Sequence, residues 1–213
     1  MRRPTQDYPQ VSLRPEDLNG RIDFVAVFGK AGPVHVEIGT GRASFLLNQA
    51  KNYPEINFLG IEWASRYYRF AVDRVGRWNV ANTKIIRTEA AAFLAEFIAD
   101  ESVDCFHIYF PDPWPKSRHH KRRFFSETNL NQMMRCLKKG GRLQAATDHA
   151  EYFGQIQKLI EGRSDLQIVA FVPAAGAQQG EVVGSNFERK YIKDSKKTHT
   201  IAAQKSVSTP ALQ

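Results

Sequence analysis

The chain has 213 residues, with 30 Lys and Arg against 22 Asp and Glu and a formal net charge of +8. That length suits one domain with a full apolar core, and two cysteines outside any CxxC pair argue against a disulfide-built scaffold and read as buried thiols of a reducing, cytoplasmic compartment. No apolar run approaches the ~20 residues of a membrane span, no apolar core follows the basic N-terminus as a secretory leader requires, and the excess of base favours a polyanionic partner.

Residues 1–14 are polar and proline-containing and read as a flexible arm, with a single domain over 15–205 and a short tail over 206–213. Residues 15–30 predict a short helix. The stretch VHVEIG (34–39) predicts a β-branched strand ending in glycine. A helix over 44–53, with Ser44 as its N-cap, is stopped by Pro54. A second strand follows over 56–62, then a helix over 65–78 capped by Ser65. Strand 83–88, helix 90–99 and a buried strand over 103–110 come next. A helix is expected over 126–141, with an acid at its start, a cationic last turn and a glycine stop. Strand 141–148, a further helix, strand 166–172, a Gly/Ala/Gln loop and a final strand around 198–204 complete the chain. Strands alternating with helices predict a doubly wound, mostly parallel α/β sheet of Rossmann-like type. In such sheets a ligand sits beyond the carboxyl ends of the strands.

Acids collect at those ends. The 34–39 strand carries Glu37 and runs into Gly39 and Gly41; the later strands lead to Glu62, Glu89, Asp112 and Asp148. Glycines there let the backbone approach a ligand closely. Ala43 stands where a third glycine is often found, and no phosphate-gripping G-x-x-x-x-G-K-[ST] loop is present. Glu62 suits a pair of ribose hydroxyls, a feature of NAD and S-adenosylmethionine alike. The other acids separate the two, because they repel a pyrophosphate and attract a sulfonium and an ammonium. The expected cofactor is S-adenosylmethionine.

The stretch FPDPWPKSRHHKRRFF (110–125) joins one acid to a dense cationic run. Pro111 and Pro113 fix φ near −65° on both sides of Asp112 and preset the carboxylate. Trp114 offers a face for a base or a packing surface for the loop. Lys116, Arg118, Lys121, Arg122 and Arg123 are candidates for phosphate contacts. His119 and His120 have no Cys or acid at ligand spacing, so no metal is expected there. Near the C-terminus, SNFERK places Ser185, Asn186, Phe187 and Glu188 together, either to hold a nucleotide or as a capping box. The lysines of KDSKK (193–197) extend the basic surface.

Together VHVEIGTGRASFL, FPDPWPKSRHHKRR, ATDH and SNFERK resemble the bacterial tRNA (guanine-N7-)-methyltransferase family, over roughly 34–204. The resemblance implies a class I S-adenosylmethionine methyltransferase sheet and a guanine of the tRNA variable loop as target. It implies that Glu37, Glu62, Glu89 and Asp112 line the donor site, with Asp112 catalytic. It implies tRNA contacts at Lys116, Asp148, Ser185, Asn186, Phe187 and Glu188. Arg42-Ala43 in the turn, Ser185 in place of Thr, and His149 depart from the family pattern. Two other readings stay open on sequence: DPW is also similar to the D-P-P-[YW] stretch of amino-methyltransferases, and a non-catalytic RNA-binding protein can share the sheet.

Overall fold

The alternation of strand and helix is realised from residue 34 onward. In the computed structural model, residues 4–184, 186–194 and 197–207 are described. In chain order the elements are β1 (Ser12–Leu13), α1 (Phe24–Phe28), β2 (Val34–Ile38), α2 (Ser44–Asn52), β3 (Asn57–Glu62), α3 (Ser65–Arg77), β4 (Thr83–Arg87) and α4 (Ala90–Phe97). They continue with β5 (Val103–Tyr109), α5 (Glu127–Cys136), β6 (Leu137–Thr147), α6 (Ala150–Glu161), β7 (Leu166–Val169), α7 (Asn186–Lys193) and β8 (His199–Lys205).

The eight strands form one sheet in the order β1-β4-β3-β2-β5-β6-β8-β7. Pairing is parallel from β1 to β6, and β8 runs antiparallel to both neighbours. From β2 the chain moves outward to β3 and β4, then returns to lay β5 on the other side of β2. Strand order reverses there, so a crevice opens above the carboxyl ends of β2 and β5. Helices on both faces explain why the central strands are apolar throughout. One face packs Leu94, Phe106, Phe125, Met133 and Tyr152. The other packs Phe45, Leu46, Phe58, Val72 and Val75. Cys105 and Cys136 are buried free thiols, and among the described residues no helix is long and apolar enough to cross a membrane.

Several local expectations change. The described part of the 1–14 arm is not loose: Val11 is buried, and Ser12 and Leu13 pair with Ile85 and Ile86 at the sheet edge. Tyr8 lies over α3 so closely that a Cβ at Gly76 would sit 2.0 Å from its ring, which fixes glycine there. The 15–30 helix is a 3-10 turn (Pro15–Asp17) and the short α1, capped by the Asp23 carboxylate. Ser44 and Ser65 are first helical residues; Ala43 and Ala64 hold the cap positions without a side-chain bond. The 126–141 helix stops at Cys136. Residues 137–141 begin β6 instead, because Leu137 turns extended and buries fully against β5.

Candidate active site

The site begins at the turn after β2. Gly39 and Gly41 have φ of 76° and 56°, and Ala43 follows at 53°. The N–H groups of Gly39 and Thr40 donate to the Ile61 carbonyl at 2.9 and 3.1 Å. The Glu62 carboxylate then accepts from Gly41 N and Ala64 N, both at 2.8 Å. One acid therefore ties the β2 turn to the start of α3. Ala43 is fully buried in a left-handed conformation that costs a non-glycine residue ~1 kcal/mol or more.

Glu37 lies beneath this turn, buried, with the Thr40 hydroxyl donating to it. Burial pushes its carboxyl up to about 8; the Thr40 bond opposes the shift and the Glu62 charge adds to it. Burial also raises Glu62, against the N–H groups of Ala64, Gly41 and Trp63, and the charge of Asp112 raises it further. The three acids thus sense one another across the crevice. A cavity of about 180 Å³ opens between the tips of β2 and β5, lined by Glu37, Gly39, Thr40, Phe45, Tyr109 and Phe110 among others. Tyr67 and the exposed Arg42 and Lys190 also border it.

Of the six residues expected around a donor, Glu37 and Gly39 line the cavity, and Gly41 and Glu62 shape its turn. Asp112 stands exposed two residues past Phe110. Glu89 is exposed beyond the carboxyl end of β4, and its carboxylate caps α4 by accepting from Ala91 N and Ala92 N at 3.0 and 2.8 Å. The sequence reading missed Thr40, Tyr67, Tyr109 and Lys190. It also missed Trp63, which follows Glu62 and is 68% exposed. An aromatic left in solvent beside an acid-lined crevice is a signal that a closer reading of IEWAS would have caught.

The Asp112 loop is held from both ends. Phe110 and Trp114 have φ of 51° and 42°; with Ala43 they are three of the five described non-glycine residues at positive φ. Strain of that kind persists only where the surroundings impose it. Arg123 is the imposing group. Its side chain is 1% exposed. Its guanidinium donates to the Pro113 carbonyl at 2.8 Å, to Gln155 at 2.7 Å and to Glu151 at 2.9 and 2.5 Å, and lies 4.7 Å from the Tyr152 ring centroid. It also holds Glu151 below the usual carboxylate range. The expectation that Arg123 meets phosphate is corrected: it is a buried brace. Lys116, Arg118, Lys121 and Arg122 remain exposed around the 3-10 turn Ser117–Arg122. Trp114 serves the loop, with Arg122 4.9 Å above its ring and His119 against it edge-on. Among the described residues no partner holds the Asp112 carboxylate, although its charge reaches Glu62 and Tyr152.

Asp148 lies half-buried between β6 and α6, and His149 caps α6 by accepting from Tyr152 N at 3.3 Å. Glu188 is corrected as well. It is fully buried and accepts from Val182, Val183 and Gly184 N–H groups at 2.7, 2.9 and 2.8 Å, so it shapes the approach to α7 and does not face a nucleotide. Tyr191 of α7 meets Phe110 at 5.5 Å, seating that helix on the Asp112 loop. Ser185, and the side chains of Asn186 and Phe187, lie outside the described residues. So do residues 195 and 196 of the KDSKK stretch; Lys193 and Lys197 are exposed. His35, Cys105 and His107 bring ligand atoms within 4.8 Å of one another. Both ring nitrogens of His107 are engaged, with His35 Nδ1 at 3.1 Å and with the Tyr109 hydroxyl at 2.8 Å.

A family model described as "Putative methyltransferase" matches residues 31–201. A tRNA (guanine-N(7)-)-methyltransferase of Streptococcus thermophilus is 32% identical over 200 residues, covering 93% of this chain and 92% of that protein. One of the same description from Rhodopirellula baltica is 38% identical over 162 residues; the match covers 74% of this chain and 60% of that protein. Among solved structures, a SAM dependent methyltransferase from Aquifex aeolicus superposes with a TM-score of 0.56 at 13% identity, covering 84% of this chain and 86% of that one, which shows the shared fold.

Proposed function

The chain belongs to the tRNA (guanine-N(7)-)-methyltransferase family and is an S-adenosylmethionine-dependent methyltransferase of tRNA; on that premise we propose how its own residues carry the reaction. The observation that carries the reading is the cavity at the β2/β5 switch point, with buried Glu37 in its wall and Glu62 holding its turn, next to an Asp112 without a partner among the described residues and a cationic run. Its chemistry fits a ligand with positive charge and no phosphate. Glu37 faces the cationic part of the donor, Glu62 the ribose hydroxyls, and Trp63 the adenine. When bound, the donor supplies a methyl group activated by its sulfonium.

Guanine N7 carries an unprotonated lone pair, so the target needs no strong base, and nothing in this chemistry calls for a metal ion. The protein must position the base in line, which can supply several kcal/mol. It must also stabilise the positive charge that develops on the purine. Asp112, preset by its prolines and by Arg123, does the second and accepts from the guanine N–H edge. Lys116, Arg118, Lys121 and Arg122 hold backbone phosphates while the nucleotide is splayed out. Asp148, just past the end of β6, contacts the tRNA. The target lies in the variable loop. Buried free thiols and a tRNA substrate support a cytoplasmic reading.

Unmodified tRNA incubated with labelled donor should yield 7-methylguanosine in the variable loop on nucleoside analysis. Methylation of an exocyclic amine would move the enzyme to the amino-methyltransferase reading. Binding of tRNA without transfer would leave an RNA-binding protein.

Glu37 makes a second expectation specific. With its carboxyl near 8 it is mostly protonated at pH 7. An incoming cation favours the ionised form, so binding releases a proton, and affinity rises with pH up to about 8 and then levels. Calorimetry at pH 7 in buffers of different ionisation heat should show more proton release for the wild type than for Glu37→Gln. Equal release in both would take Glu37 out of the donor site.

A further inference from the structure

The donor cavity shares Arg42 with a second concavity that the reaction as read does not use. Arg42, Phe70, Asp73, Arg74 and Arg77 line a hollow of about 190 Å³. Its origin is the spacing on α3. Arg66, Phe70, Arg74 and Arg77 fall three or four residues apart and share one stripe of the helix. The thirteen residues of α3 hold four arginines and one acid, Asp73. That acid is already engaged: it is buried, accepts from Gln6 N at 3.1 Å and pairs with Arg77 at 3.0 Å.

The remaining cations, Arg42, Arg66 and Arg74, have no acid paired with them among the described residues. Phe70 lies between Arg42 and Arg66, whose guanidinium carbons are 5.4 and 5.7 Å from its centroid. A ring face orients a guanidinium and leaves its N–H edge free. Arg74 is half-buried and fixed by the Ser44 hydroxyl. Burial first, then the charges of Arg42 and Arg77, lower its affinity for its proton. Asp73 answers one of these bases, Arg77. Arg42, Arg66 and Arg74 gather like charge beside it, and an anion in the hollow relieves their repulsion.

We propose that Arg42, Arg66, Arg74 and Arg77 bind a backbone phosphate of the tRNA, on the flank of the donor cavity opposite the Lys116–Arg122 run. The proposal rests on tRNA being the substrate. The one anionic group of the methyl donor is its carboxylate, for which Arg42 and Lys190 already border the donor cavity; an anion site in the second hollow serves the substrate. Topology gives the geometry its use. Helix α3 follows β3, the basic run follows β5, and β2 with its ligand turn lies between them. RNA anchored on both flanks is stretched across the cavity mouth, and only a nucleotide between the two anchors reaches the methyl group.

The test compares Arg66→Gln/Arg74→Gln with Arg66→Lys/Arg74→Lys in the full-length protein, using unmodified tRNA at several salt concentrations. The Gln pair should weaken tRNA binding about 10-fold and lower the log-log salt slope by about one unit, the share of one neutralised phosphate. The Lys pair should keep most of both. Calorimetric affinity for S-adenosylhomocysteine should stay at the wild-type value in each. A wild-type slope in the Gln pair, or equal losses in the Gln and Lys pairs, would overturn the site; so would a wild type that binds no tRNA. Nucleoside analysis of the wild-type product tests the N7 reading separately: a protein that binds tRNA through these arginines yet makes no 7-methylguanosine would keep the site and lose the reaction.

Discussion

Asp112→Asn should slow methyl transfer by roughly 10²-fold or more in single turnover with saturating donor and tRNA, the size of loss seen when a preorganised electrostatic group is removed. The substitution keeps the shape and one acceptor and removes the charge. The loop has no reason to move, because Pro111, Pro113 and the Arg123 brace set its course and no described partner of the Asp112 carboxylate is lost. Binding of tRNA should change little, and slightly in favour, since a negative charge near a polyanion disappears. Removing Asp112 also removes a charge that raises Glu62, so the Glu62 carboxyl should titrate lower in the variant. Wild-type transfer rates under these conditions would sink the catalytic role. A loss confined to affinity would make Asp112 a gripping residue, with positioning alone carrying the rate.

Arg123→Ala should destabilise the protein by about 3 kcal/mol, from two charge-assisted hydrogen bonds to the Pro113 carbonyl and Gln155 at ~1.5–3 kcal/mol each, partly offset by relaxation. Glu151 is exposed, rehydrates and is left out of that figure. For a chain of this size the loss lowers the melting temperature by roughly 6–12 °C. Methyl transfer should fall as well, because the strained Phe110 and Trp114 conformations lose the group that imposes them. Lysine should not rescue, since one ammonium cannot reproduce a planar fork with three acceptors. Arg122→Ala is the control: it removes the same charge one residue away, at an exposed site, and should leave the melt unchanged. Equal melting of the two variants would mean that Arg123 braces nothing.

That contrast shows where the sequence stops being legible. Arg122 and Arg123 are chemically identical neighbours in one run, and which of them is interior depends on how a 3-10 turn presents them to α6, 28 residues further on. The sheet was legible because strands and helices differ in apolar period, and the site's location followed from acids at strand ends. Glu37, Gly39, Gly41 and Glu62, expected on that ground, do meet around one turn. Glu89 and Glu188 show what sequence cannot separate: a carboxylate satisfied by backbone N–H groups looks like one waiting for a ligand. Glu188 takes its N–H partners from 182–184, and only the fold says so. Ser44 and Ser65 failed as caps because each helix starts one residue early, with Ala43 (φ 53°) and Ala64 (φ −73°) at the cap positions. The α3 arginines carried no reading in the sequence; Arg42, from a different element, is what closes them into a hollow.

The position of β8 has a consequence for how the enzyme is born. It follows β7 in the chain yet lies between β6 and β7. Until residues 199–205 leave the ribosome, β7 has no neighbour to pair with, and the antiparallel flank of the sheet is missing. Helix α7 leaves the ribosome only shortly before it, carrying Lys190 at the cavity and Tyr191 against Phe110. The nascent chain can therefore complete β2 to β6, with α3 and the basic run in place, while the donor cavity still lacks Lys190 and the Asp112 loop its seat on Tyr191. The cations that face RNA are thus made before the cavity that holds the methyl donor is complete.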